Sequence, residues 1–295
     1  DAVTLWDRLT IAPGVRLELI STGFEDELAD PALERPGRRF SLALSPGVGA
    51  FVQTTPWLGV FGGVHRGFSP VAPGQPSTVD AEVATNYELG TRAVFKGLWA
   101  EAVGFFSDYD NMLGNCTFSA GCVDGDGSQQ FNAGRVFTYG VETLARYRHR
   151  FDSGFGFEVG AQYTYTGSSF REAFTSGNPQ LGEVERGDEL PYVPKHIAGG
   201  SVGVGGRVWS VNVSPSYTSL MRDVAGQGTV PDGERIPGFF VLDVGAEVRV
   251  LQRFRIYTQV GNVTNNAYAA SLRPFGLRPG APLTFMVGVK ASIFP

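Results

Sequence analysis

Phe240-Val241-Leu242-Asp243-Val244-Gly245-Ala246-Glu247-Val248-Arg249-Val250 decides how this 295-residue chain is built. Successive side chains of an extended strand point to opposite faces. Phe240, Leu242, Val244, Ala246, Val248 and Val250 therefore share one side, and Asp243, Gly245, Glu247 and Arg249 the other. The split recurs at Phe137, Tyr139, Val141, Thr143, Ala145 and Tyr147 against Thr138, Gly140 and Glu142. It recurs at Phe155, Phe157, Val159, Ala161, Tyr163 and Tyr165 against Glu158, Gly160, Gln162, Thr164 and Thr166, and at Trp209, Val211, Val213 and Tyr217 against Ser210, Asn212, Ser214 and Ser216.

Outward from that segment the pattern predicts twelve strands, at 8–25, 39–55, 58–69, 84–95, 98–112, 135–150, 155–171, 196–206, 208–223, 238–250, 254–271 and 282–294. Six long loops (26–38, 70–83, 113–134, 172–195, 224–237, 272–281) alternate with five tight turns (56–57, 96–97, 151–154, 207, 251–253). Alternating side chains alone also suit a soluble sandwich. A strict long–short succession of connections instead fits a membrane barrel with turns on one rim and loops on the other. Many of the strands also exceed the ~5–6 residues usual in globular sheets. The expected fold is all-β, a transmembrane antiparallel up-and-down β-barrel of about twelve strands, occupying 1–295 as one domain. An even count places Asp1 and Pro295 together on the turn rim, which faces the periplasm in such barrels.

Composition agrees: 40 Gly, 22 Phe and 10 Tyr suit strands and turns. A net charge of −5 offers no basic field for a nucleic-acid backbone. No apolar run approaches the ~20 residues of a spanning helix. Asp1-Ala2-Val3-Thr4 lacks the features of a secretory signal, so an export signal is expected upstream or already removed.

The polar series holds Arg16, Glu18, Glu88, Arg92, Glu142, Asp243, Glu247 and Arg249, charges that are costly toward lipid and are expected to face a lumen. Trp57, Phe95, Trp99, Tyr109, Phe151 and Trp209 are expected in aromatic girdles at the membrane interfaces. The last strand offers Leu283, Phe285, Val287, Val289, Ala291 and Ile293 to lipid and leaves Phe294 out of phase.

Sites for chemistry are sparse. His65, His149 and His196 are dispersed, which supports neither a metal site nor the Ser–His pair an outer-membrane phospholipase needs; no enzyme activity, cofactor or metal is expected. Cys116 and Cys122 lie in a long loop and can form a short disulfide in an oxidising compartment; two free thiols are the alternative. Asp124-Gly125-Asp126-Gly127 reads as a solvated turn, since the other ligands of a calcium loop are missing. Arg171, Arg186, Arg222, Arg235, Arg273 and Arg278 are the candidates to meet an anionic ligand.

Several segments go further than periodicity. They are Leu9-Thr10-Ile11-Ala12-Pro13-Gly14-Val15-Arg16-Leu17-Glu18, Phe61-Gly62-Gly63-Val64-His65-Arg66-Gly67-Phe68-Ser69-Pro70, and Asn86-Tyr87-Glu88-Leu89-Gly90-Thr91-Arg92. Asn132-Ala133-Gly134-Arg135-Val136 closing with Gly140-Val141-Glu142, Leu190-Pro191-Tyr192-Val193-Pro194-Lys195-His196, and Gly261-Asn262-Val263-Thr264-Asn265-Asn266-Ala267-Tyr268 continue the series. Arg273-Pro274 and Arg278-Pro279-Gly280 follow. In this order they resemble the C-terminal barrel portion of TonB-dependent outer-membrane receptors, most nearly the ferric-citrate-receptor-like branch. The resemblance runs from about Leu9 to Phe294.

It implies an outer-membrane receptor of a Gram-negative bacterium that captures ferric citrate or a ferric siderophore and imports it with energy delivered by TonB. It departs from the family in size: such transporters have about 22 strands and a plugged lumen, whereas twelve strands are expected here, with no plug domain or TonB-contacting segment expected before Asp1. Three expectations stay open. The chain is the C-terminal half of such a barrel, partnered by lipid and by a plug or N-terminal barrel segment; or a closed, plugless twelve-stranded passive pore; or a structural subunit of an outer-membrane complex. Ligand capture is expected in the loops, with Arg273 and Arg278 the first residues to test.

Overall fold

The computed structural model describes residues 1–25, 37–117, 128–273 and 276–292. Cys122, the Asp124–Gly127 turn, Pro274, Ile293, Phe294 and Pro295 lie outside the described residues. One antiparallel sheet dominates. Its strands are β1 (Val3–Leu5), β2 (Leu9–Gly23), β3 (Arg38–Thr55), β4 (Leu58–Ser69), β5 (Glu82–Phe95), β6 (Leu98–Asp110), β7 (Val136–Arg150), β8 (Gly156–Phe170), β9 (His196–Gly205), β10 (Trp209–Thr218), β11 (Phe239–Leu251), β12 (Phe254–Gly261) and β13 (Thr284–Ala291). Each pairs with the next in chain order, so the sheet is a meander with β1 and β13 at its two ends.

The twelve strands expected from periodicity are β2 to β13. β1 adds a thirteenth, three residues long, joined to β2 through Trp6 (φ 52°) and Asp7 (φ 54°). The tight turns suit the strand twist. Between β5 and β6, Lys96 (φ 41°) and Gly97 (φ 87°) are both left-handed, as a type I′ hairpin requires.

Two predicted strands stop early. The one read as 254–271 ends at Gly261 because Asn262 turns left-handed at φ 48°. Asn262 is nearly fully buried; its side chain receives the Asn266 amide at 2.9 Å and donates to the Ala281 carbonyl at 3.0 Å. A short amide side chain thus competes successfully with the ladder. The strand read as 208–223 ends at Thr218, and Met221–Arg222 pairs instead with Arg235–Ile236 in a hairpin of its own. Three more small hairpins lie in the loops, at Leu113–Thr117 with Ser128–Asn132, Phe174–Thr175 with Glu183–Val184, and Ala269–Ser271 with Arg278–Pro279.

The register assigns the faces. Trp209 opposes Val248, Val211 opposes Ala246, and Val244 opposes Val260, so one face is an apolar band continuous across strands. Much of that band is open: Leu17 is 60% exposed, Leu89 68% and Phe285 72%. Among the described residues no second layer covers it. Each such side chain left in water forgoes about 1.5–3 kcal/mol, a cost that a hydrocarbon surrounding removes. The buried apolar residues gather instead among the loops, around Val136 and Phe170.

Trp57, Phe95, Phe151 and Trp209 are exposed at the turn rim. Trp99 and Tyr109 are corrected: on β6 they share the face of Glu101, which opposes Arg92, so they project from the polar side. An aromatic residue carries no sign of its face; parity with a charged neighbour does.

Candidate functional site

Two regions of the polar side hold charge. The first is the wall near the turn rim. Arg92 meets Glu101 at 2.6 Å, and Glu158 receives Arg146 at 3.3 Å and Arg148 at 2.5 Å. Glu247 receives Arg255 at 2.9 Å and Lys290 at 3.2 Å, and Arg16 meets Glu18 at 2.8 Å. All eight charges expected on the polar face are there by register. Nearer the β1 end, Arg16, His65 and Glu88 line an open recess of about 670 Å³ with Phe51 and Phe61.

The second region is the loop rim, where neighbouring loops are stitched into a cap. Loop 70–81 is held by Arg39, whose guanidinium donates to the Val79 carbonyl at 2.6 Å. It joins loop 111–135 through Gln130, whose side chain receives the Ala72 amide at 2.7 Å, and through Asn132, which donates to the Asp80 carbonyl at 2.9 Å. Loop 111–135 meets loop 171–195 in an apolar cluster of Ala133, Val136, Phe170, Leu181, Val184 and Leu190, with Ala225 of loop 219–238 against it.

Beyond that cluster the joints are charged. Lys195 meets Glu189 at 2.6 Å, and buried Arg222 meets the other Glu189 oxygen at 3.4 Å while donating to the Gly228 carbonyl at 3.1 Å. Tyr192 donates its hydroxyl to Asp223 at 2.6 Å, and Arg273 reaches the second Asp223 oxygen through Nε at 3.0 Å and Nη2 at 2.9 Å. Burial first, then hydrogen bonding to Asp223, pushes the Tyr192 hydroxyl above its ordinary value of 10.0.

The six candidate arginines separate into two groups. Arg222 and Arg273 are engaged by Glu189 and Asp223. Arg171 stacks on Phe137 with its guanidinium 4.2 Å from the ring centroid, beside Asp108, on the apolar side of the sheet. Arg186, Arg235 and Arg278 are exposed, and Arg235 is paired with exposed Asp232 at 2.9 Å. The structure brings the Arg235 hairpin beside the hairpin of Ala269–Ser271 that carries Arg278 on its other strand. Cys116 lies on the strand Leu113–Thr117. Sequence reasoning missed Glu189, Tyr192 and Asp223. The signal within reach was Pro191-Tyr192-Val193-Pro194, where a ring between two prolines marks a fixed backbone.

Residues 1–263 match the family described as TonB dependent receptor-like, beta-barrel. The chain belongs to that family. The pesticin receptor of Yersinia enterocolitica (serotype O:8 / biotype 1B) is 25% identical over 312 residues, which take in 98% of this chain and 41% of that receptor. The chain thus spans about two fifths of the length of the curated relatives it matches. Among solved structures, the ferric citrate transporter FecA in its unliganded form is 21% identical with a TM-score of 0.66, over 96% of this chain and 42% of FecA. The copper transporter OprC is 16% identical with a TM-score of 0.72, over 98% of this chain and 46% of OprC. One fold therefore serves ligands as different as ferric citrate and copper, and the ligand has to be argued from side chains. In a TonB-dependent receptor barrel, a protein of the Gram-negative outer membrane, the apolar band meets lipid and the charged wall lines the lumen.

Proposed function

We propose that this chain is the C-terminal barrel portion of an outer-membrane receptor that captures an anionic ferric chelate, ferric citrate or a siderophore, for TonB-energised import. On this reading the loop rim faces outward, and the turn rim, with Asp1 close to it, faces the periplasm. The observation that carries it is the loop cap: five connected loops stand over the polar wall, and Arg186, Arg235 and Arg278 remain open to solvent on it. A cap tied together by buried ion pairs places exposed cations with little ordering cost left to meet on binding. Partners on this reading are outer-membrane lipid, the TonB system, and the plug and remaining barrel strands that complete such a receptor.

The test is isothermal titration of the protein in detergent with ferric citrate and with catecholate and hydroxamate ferric siderophores. Saturable binding of one of them, lost with the iron-free chelate, is expected. Absence of heat with every chelate overturns the reading.

A further inference from the structure

Asp223 is a carboxylate with 8% of its side chain exposed, and groups from three loops converge on it. Tyr192 comes from loop 171–195, Arg273 from loop 262–283, and Asp223 itself sits in loop 219–238, where its amide donates to the Glu234 carbonyl at 2.8 Å. The outer two loops also touch directly, since the Leu272 amide donates to the Tyr192 hydroxyl at 3.1 Å. Tyr192 holds φ 59°, an uncommon conformation for a bulky residue, while its amide donates to the Arg222 carbonyl at 2.9 Å. Such a backbone persists where its surroundings over-determine it. Glu189 and Gly226 bridge the first two loops a second time.

The physics of a buried charge makes this joint all-or-none. Withdrawing Tyr192 or Arg273 alone leaves Asp223 desolvated and half-paired, which costs more than the contact itself is worth. One loop therefore gains little by leaving without the others. The joint to loop 111–135, and through it to loop 70–81, is of another kind: an apolar cluster, a backbone hydrogen bond from the Arg171 amide to the Arg135 carbonyl at 2.9 Å, a 3.4 Å hydrogen bond from the Asn178 side chain to the Asn115 carbonyl, and a half-exposed Arg135–Glu172 pair at 3.9 Å whose charges stay in water when it parts. Apolar surfaces slide without stranding a charge.

We propose that loops 171–195, 219–238 and 262–283 form one conformational unit latched at Asp223, which holds or opens as a whole. The latch goes beyond the transport reading and does not depend on which ligand is carried.

The test is hydrogen–deuterium exchange read by mass spectrometry on the full chain in lipid nanodiscs, comparing wild type with Asp223→Ala, Tyr192→Phe and Arg273→Gln. In Asp223→Ala, exchange around Tyr192, Asp223 and Leu272 is expected to rise together by about tenfold or more, the effect of losing a hydrogen bond to a charged group. Exchange in loops 70–81 and 111–135 stays near wild type. Tyr192→Phe and Arg273→Gln give the same three-loop pattern at lower amplitude, and they carry the test should Asp223→Ala fail to fold. A rise confined to one loop, or an equal rise in all five, overturns the latch.

Discussion

The ring of Phe61 on β4 lies over Gly90 on β5, its direct cross-strand partner, so closely that a Cβ on Gly90 would stand 2.6 Å from the ring's Cζ. Phe105 covers Gly140 at 2.8 Å, where the Tyr165 carbonyl oxygen would stand nearer still, and Tyr257 covers Gly288. The Arg92 guanidinium lies over the Phe61 ring, 5.4 Å from its centroid. The glycines are the hollows into which polar-face aromatics fold flat. Gly90→Ala and Gly140→Ala are expected to cost about 1–3 kcal/mol each through overpacking, read as a lower urea midpoint of the refolded barrel. Midpoints equal to wild type would show that the rings, and the Ala102 and Tyr165 carbonyls beside them, give way freely.

The ion pairs of the turn rim should matter far less. Glu158 serves both Arg146 and Arg148, yet the arginine side chains are more than half exposed. Solvent screening limits such pairs to about 1 kcal/mol or less. Glu158→Gln is expected to shift the urea midpoint only slightly, with the shift shrinking further in high salt. A large, salt-insensitive loss would mean that the wall is drier than its exposure indicates.

Tyr192 gives the cap a defined alkaline limit. Its hydroxyl titrates above 10.0 in the folded protein, so folding favours the protonated form. A raised folded value contributes stability that is fully present below the unfolded value and is lost as pH rises through the folded one. The stability difference between wild type and Tyr192→Phe should accordingly be flat up to about pH 10 and narrow above it. Thermal melts of both proteins across the alkaline range measure this; a difference that widens with pH contradicts the assignment.

The strands were legible in the sequence because lipid and lumen impose strict alternation, and Leu242 to Val250 shows it without interruption. The strand ends were less so. Gly261 ends β12 because Asn262 satisfies backbone groups as far away as Ala281, a contact with no local pattern. β1 was missed because Trp6, a bulky aromatic, is not a residue that usually announces a left-handed hairpin turn. The cap was the least legible. Asp223 meets partners 31 and 50 residues away, and nothing adjacent to Arg222 or Arg273 distinguishes an arginine held by the protein from one left for a ligand.

That distinction yields the last prediction. Arg186, Arg235 and Arg278 are exposed on three loops, whereas Arg222 and Arg273 neutralise carboxylates of the cap. An exposed guanidinium that meets an anionic chelate contributes about 1.5–3 kcal/mol, roughly 10-fold or more in Kd. Arg186→Ala, Arg235→Ala and Arg278→Ala are expected to weaken ferric-chelate binding by that order while leaving the urea midpoint unchanged. Arg235→Ala should be the mildest, because Asp232 already offsets its charge at 2.9 Å. Arg222→Ala strands Glu189 beside a single remaining cation, Lys195, and should lower the midpoint first, with any change in affinity following from the disordered loops. Titration and urea unfolding on the same five variants, Arg273→Gln included, separate the outcomes. Unchanged affinity in all three exposed variants would move the ligand off these loops and onto the lumen wall around Arg16, His65 and Glu88.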